Sequence, residues 1–151
     1  MKPATQQKLD RQAWLSLLAK APEGRVPELL EATMERPNFT WLRRPEIGSV
    51  MVQGRAGATG APFNLGEMTV TRGSLQLQSG EIGHAYLQGR RKACTEAAAL
   101  VDALLQTSKA DEIRAAVLVP LEEERTQFRQ TRAAKAAATK VDFFTMVRGD
   151  D

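Results

Sequence analysis

Two tripeptides of the same composition stand out among the residues able to do chemistry. Gln53-Gly54-Arg55 closes one run of alternating apolar residues, and Gln88-Gly89-Arg90 closes another. Glycine at a strand end lets a ligand or another backbone come close. An arginine just beyond it offers a planar fork suited to phosphate, phosphonate or carboxylate. Arg55 and Arg90 are therefore the candidate anion or partner contacts, and pairing of their strands would bring them together. The bland alternative is two solvated arginines at strand ends. Arg91 and Lys92 add positive charge at a helix start, where cations are unfavourable, and such local conflicts gather at functional sites.

Other candidates carry less. Gly54, Gly57 and Gly60 follow a strand, as in phosphate-binding loops whose N–H groups approach an anion. However, no Gly-Lys-Ser/Thr is present, and Pro62 stands where a helix should start. A turn between two strands is the better reading. His84 is the only histidine, and no orienting partner is legible for it as a general base; a packed or hydrogen-bonded strand histidine is expected. Cys94 lies near a helix start, which would stabilise a thiolate, but its register is apolar and a small buried residue is expected. Glu122, Glu123 and Glu124 read as a helix start rather than a metal site. No catalytic set of nucleophile, base and orienter is visible, and no metal ligand set either.

These residues must be positioned by a chain of 151 residues, 42% hydrophobic and 26% charged. That is one domain's worth of ordinary globular composition. One cysteine and one histidine exclude an intramolecular disulfide, a self-contained Cys/His zinc site and an iron–sulfur cluster held by this chain alone. Residues 1–7 contain no apolar run, so no secretory leader is expected. No apolar stretch approaches the roughly 18 residues of a membrane span. A cytoplasmic protein is expected.

Hydrophobic period predicts helices over residues 7–20 and 26–35, with residues 39–42 extended and bounded by Pro45. Alternation predicts strands over residues 48–55, 67–77 and 82–89, with a bulge or kink at Gly73 and a hairpin turn at Ser79-Gly80-Glu81. A helix over residues 92–107 carries the stripe Ala93, Ala97, Leu100, Val101, Leu104, Leu105. A shorter helix or turn over residues 111–119 is broken by Pro120, and another helix covers residues 121–140. The fold class is thus α+β: a small antiparallel meander (46–90) between mainly helical segments (1–45 and 91–140), in one domain. The last segment, residues 141–151, is an apolar terminus where chains are normally polar. Phe143, Phe144, Met146 and Val147 are its candidate partner interface; packing into the chain's own core is the alternative.

At this point the chain resembles a known family, PhnG, a small subunit of the bacterial carbon–phosphorus lyase system. The resemblance spans nearly the whole chain. It is carried by Gln53-Gly54-Arg55 with Gly57-Ala58-Thr59-Gly60, by Gly66-Glu67-Met68-Thr69-Val70-Thr71-Arg72, by Gln88-Gly89-Arg90 with Lys92, and by Ala99-Leu100-Val101-Asp102-Ala103-Leu104. The ending Lys140-Val141-Asp142-Phe143-Phe144-Thr145-Met146-Val147-Arg148-Gly149-Asp150 is its most specific part. The resemblance implies a role in phosphonate metabolism within a core complex of PhnG, PhnH, PhnI and PhnJ. With PhnI, PhnH and the ATPase-like PhnL, such a subunit supports displacement of adenine from MgATP by an alkylphosphonate. The product of that synthase is alpha-D-ribose 1-methylphosphonate 5-triphosphate. PhnI is the implied catalytic subunit, PhnJ performs the later radical cleavage, and no catalytic residue is implied in PhnG. The chain alone would bind no cofactor, with MgATP a substrate of the complex.

Two other classes are weighed against this. A basic nucleic-acid-binding module is motivated by the net charge of +3 and by the stripe Arg125, Arg129, Arg132. A charge this small and aromatic residues at only 5% speak against it. A free-standing enzyme would have to rely on His84 and Cys94.

Overall fold

The structure, a computed structural model, describes residues 4–141. Two helices, α1 (Ala4–Lys20) and α2 (Arg25–Thr33), precede three strands, β1 (Phe39–Arg55), β2 (Pro62–Leu77) and β3 (Ile82–Gln88). Helix α3 (Lys92–Leu104) follows, then α4 (Ala110–Ile113), a π-helical turn (Arg114–Leu118) and α5 (Val119–Ala138). The strands form one antiparallel sheet in the order β1-β2-β3. The class is α+β, as the patterning predicts.

Helix α3 is the centre of the core rather than an amphipathic lid. Ten of its thirteen residues are buried, so its burial runs nearly all round. Ala93, expected on the apolar stripe, is exposed instead. On one side α3 meets Leu75, Leu77, Ala85 and Leu87 of the sheet; Trp14, Leu18, Val26, Leu30 and Val117 complete the same cluster from the helices. The close approach depends on small residues. A Cβ at Gly83 would stand 1.9 Å from the Ala99 carbonyl oxygen and 2.9 Å from the Ala103 Cβ.

The buried polar groups of α3 are satisfied. Asp102 is wholly buried. Its carboxylate accepts Arg11 Nε at 3.1 Å and Nη2 at 2.7 Å, Trp14 Nε1 at 2.9 Å and the His84 N–H at 2.8 Å. One side chain thus ties α1, α3 and β3 together. A buried carboxylate is tolerable only with such a full set of partners.

Three further sequence expectations are corrected. First, β1 begins at Phe39 and runs without a break through Pro45, so the helical N-terminal segment ends well before residue 45. Proline is accepted because β1 is an edge strand and its pairing with β2 shifts register between Arg43 and Glu46. Second, the irregularity expected at Gly73 lies across from it on β1. Gly73 itself gives close packing: a Cβ there would be 3.3 Å from Thr95 Cγ2 and 3.5 Å from the Arg43 carbonyl oxygen. Third, Pro120 does not separate two helices. The π-helical turn carries the Val119 N–H to the Arg114 carbonyl, and Pro120, which has no N–H to place, follows that wide turn at the start of α5. The hairpin turn is as expected: Gly80 has φ 107° and donates to the Leu77 carbonyl at 3.0 Å.

Candidate functional surfaces

The hairpin of β1 and β2 continues beyond the third strand as an arm. β3 stops pairing at Val70, opposite Gln88, while β1 and β2 stay paired out to Arg55 and Pro62. Between Ile47 and Gly66 the only charged residue is Arg55, in a chain that is 26% charged. Exposed strand edges normally carry charge to block unwanted pairing, and interface cores are depleted of it. Met51 is 53% exposed and Leu65 67% exposed, with Ile47 and Phe63 also exposed. A two-stranded ribbon in water is only marginally stable. The arm has the composition of a contact surface.

The two arginines lie at opposite ends of this arm. Arg55 is at the tip, opposite Pro62, and its Nη1 donates to the Gly60 carbonyl at 3.2 Å. Arg90 is at the base, following Gly89, whose N–H bonds to Thr69 at 2.8 Å. Strands β1 and β3 flank β2 and do not pair. Pro62 and Thr69 are separated by roughly 23 Å of extended strand, so the two guanidiniums cannot grip one small anion. The tripeptides also differ in structure. Gly89 has φ 87°, whereas Gly54 is an ordinary strand residue facing Leu65. Buried Thr71 holds the second one in place: its hydroxyl donates to the Gly89 carbonyl at 2.6 Å and accepts the Arg91 N–H at 2.9 Å.

The glycine loop is a turn closed on itself, with Gly60 N–H bonded to the Ala56 carbonyl at 3.0 Å and a strand, not a helix, following. Cys94 is buried, and its Sγ accepts the Gly24 N–H at 3.4 Å. The His84 side chain is exposed rather than packed. The arginine stripe is partly engaged: Arg125 pairs with Glu122 at 2.6 Å, and Arg132 stacks over Phe128 at 5.7 Å. Beyond Arg125, α5 is exposed on every side through its last residue, Ala138, with Phe128 62% exposed. Phe143, Phe144, Met146 and Val147 lie outside the described residues. Among the described residues, no three His, Cys, Asp or Glu side chains gather as a metal site, and no helix is long and apolar enough to cross a membrane.

What sequence reading missed is a polar patch on the sheet face turned away from α3. Arg43, Ser74 and His84 stand opposite one another across the three strands, and Glu46, Arg72 and Tyr86 form the next row. Glu46 Oε1 accepts Arg72 Nε at 2.6 Å and Arg43 Nη1 at 2.8 Å. The Arg72 hydrogen bond, more than the Arg43 charge, holds the Glu46 carboxyl below the usual carboxylate range. Only strand register could have revealed this patch, since its members come from three separate segments.

An antiparallel sheet backed by a buried helix, with a nearly uncharged arm and an exposed run at the end of α5, defines a small α+β protein. A family model described as "Phosphonate metabolism protein PhnG" matches residues 9–149. The chain is 41% identical over 145 residues to the alpha-D-ribose 1-methylphosphonate 5-triphosphate synthase subunit PhnG of Rhizobium meliloti (strain 1021), covering 93% of this chain and 90% of that relative. The chain belongs to the PhnG family of phosphonate metabolism proteins.

Proposed function

We propose that this chain is the PhnG subunit of an alpha-D-ribose 1-methylphosphonate 5-triphosphate synthase. The identity to a named subunit of that synthase over nine-tenths of its length carries the reading. In it, partner PhnI subunits perform the transfer of an alkylphosphonate to the ribose C1 of MgATP, adenine leaves, and this chain organises the assembly with PhnH, PhnJ and the associated PhnL in the cytoplasm. The uncharged arm, the exposed run of α5 and the apolar residues Phe143, Phe144, Met146 and Val147 supply the buried contacts. Arg55 and Arg90 make two separate polar contacts with an acidic partner surface or an anion.

The test is reconstitution. The chain is combined with candidate PhnI, PhnH and PhnL proteins, and adenine release from MgATP is followed with and without methylphosphonate. Phosphonate-dependent release that requires this chain supports the proposal. Full activity without it refutes the subunit role.

A further inference from the structure

We propose that the cleft over the outer face of the sheet binds a small organic anion with a tetrahedral oxyanion head and an apolar substituent, the chemistry of an alkylphosphonate. The cleft has a volume of about 470 Å³, within the range of small-molecule sites. Its apolar wall is formed by Leu15, Leu18 and Ala19 of α1; Ala85 and Leu87 line it only from the strand, with their side chains turned toward α3. The other is polar and cationic, formed by Arg43, Arg72, Ser74, His84 and Tyr86.

The polar wall is built to donate. Glu46 engages one nitrogen of each guanidinium. That fixes both arginines while leaving both Nη groups of Arg72 and Nη2 of Arg43 without a protein partner among the described residues. Ser74 and Tyr86 add hydroxyls, and His84 adds an imidazole whose strand position is set by the bond from its N–H to Asp102. Glu46 is the one carboxylate in the patch, and two guanidiniums outweigh it. Guanidinium forks beside hydroxyls suit phosphate-like oxygens. The apolar wall gives a short alkyl group somewhere to go that inorganic phosphate cannot use. Binding of an oxyanion stands on this geometry alone; the choice of a phosphonate rests on the proposed function.

His84 is the only histidine, so its ring C–H resonances give one clean reporter. The full chain is titrated at constant pH and ionic strength with methylphosphonate, butylphosphonate and inorganic phosphate, and the ring signals are followed by NMR. The expected result is a saturable shift with both phosphonates, about tenfold tighter for butylphosphonate because methylenes are buried. In Arg72→Gln the affinity should fall about tenfold, and Arg72→Lys should be intermediate. No saturable shift with any ligand, or an unchanged titration in Arg72→Gln, overturns the site. Phosphate binding as tightly as butylphosphonate overturns the role of the apolar wall and leaves free phosphate as the ligand source. A chain that supports the reconstituted synthase yet shows no shift sinks this site while leaving the proposed function intact.

Discussion

Gly83 and Ala99 pack so closely that a Cβ on Gly83 would stand 1.9 Å from the Ala99 carbonyl oxygen. That contact seats β3 on α3 and so sets the height of the whole sheet above its helix. Overpacking a core commonly costs about 1–3 kcal/mol, and here the obstacle is backbone, which cannot swing aside. Gly83→Ala should therefore lose at least ~2 kcal/mol in urea unfolding. A variant as stable as the parent would show that β3 shifts on α3 without penalty.

Asp102 joins α1, α3 and β3 through one wholly buried carboxylate. Asp102→Ala leaves the Arg11 guanidinium, the Trp14 indole N–H and the His84 N–H without their acceptor. Removing one partner of a buried pair costs about 3–5 kcal/mol, a large share of the total stability of a small domain. Asp102→Asn keeps one acceptor oxygen and should fall between. The check is equilibrium denaturation of the three proteins side by side.

Glu46 makes a pH prediction. Its folded-state carboxyl titrates below the usual value, chiefly because Arg72 hydrogen-bonds the charged form. Its stabilising effect is therefore present above the unfolded carboxylate range of about 4.3 and is lost as pH falls through the lower native value. The gap in melting temperature between the parent and Glu46→Gln should be constant near neutrality and close in acid below about pH 4. A gap that stays constant through this acid range would contradict the pairing.

The fold class was legible because alternation and helical period are local signals. Met68, Val70 and Leu75 mark β2, and Leu100, Val101 and Leu104 mark α3, from sequence alone. What was hidden depends on distant neighbours. Pro45 reads as a boundary until one knows that β1 is an edge. Asp102 gives no local sign of its role, because its partner Arg11 lies ninety-one residues away. Arg55 and Arg90 were visible as a repeated motif, yet their separation follows from strand order, which spacing does not encode. The Arg43–Glu46–Arg72 cluster needed the register of β1 against β2.

Arg55 and Arg90 are proposed as contacts to another molecule, and neither is used by the core. Arg55→Lys and Arg90→Lys should leave the melting temperature of the isolated chain nearly unchanged, as surface substitutions usually do. Each should weaken assembly or synthase activity about tenfold, the loss of one bidentate arginine contact. Normal assembly and normal activity in both variants would remove this role.

The arm gives a sharper separation of fold from function. Met51 and Leu65 are more than half exposed, so Met51→Ser with Leu65→Ser should barely change urea unfolding of the isolated chain. The same double variant should bind partner subunits at least ~10-fold more weakly, because apolar area buried at an interface centre dominates affinity. Unchanged binding would move the interface elsewhere on the molecule.

Assembly into the synthase is tested most directly by co-purification with mass determination by light scattering. The tagged chain is expressed with PhnH, PhnI and PhnJ candidates, both full-length and lacking residues 141–151. A stable hetero-oligomer is expected with the full-length chain, and loss of that complex when the apolar terminus is removed. A full-length chain that elutes alone as a well-behaved monomer in the presence of every partner would contradict such assembly.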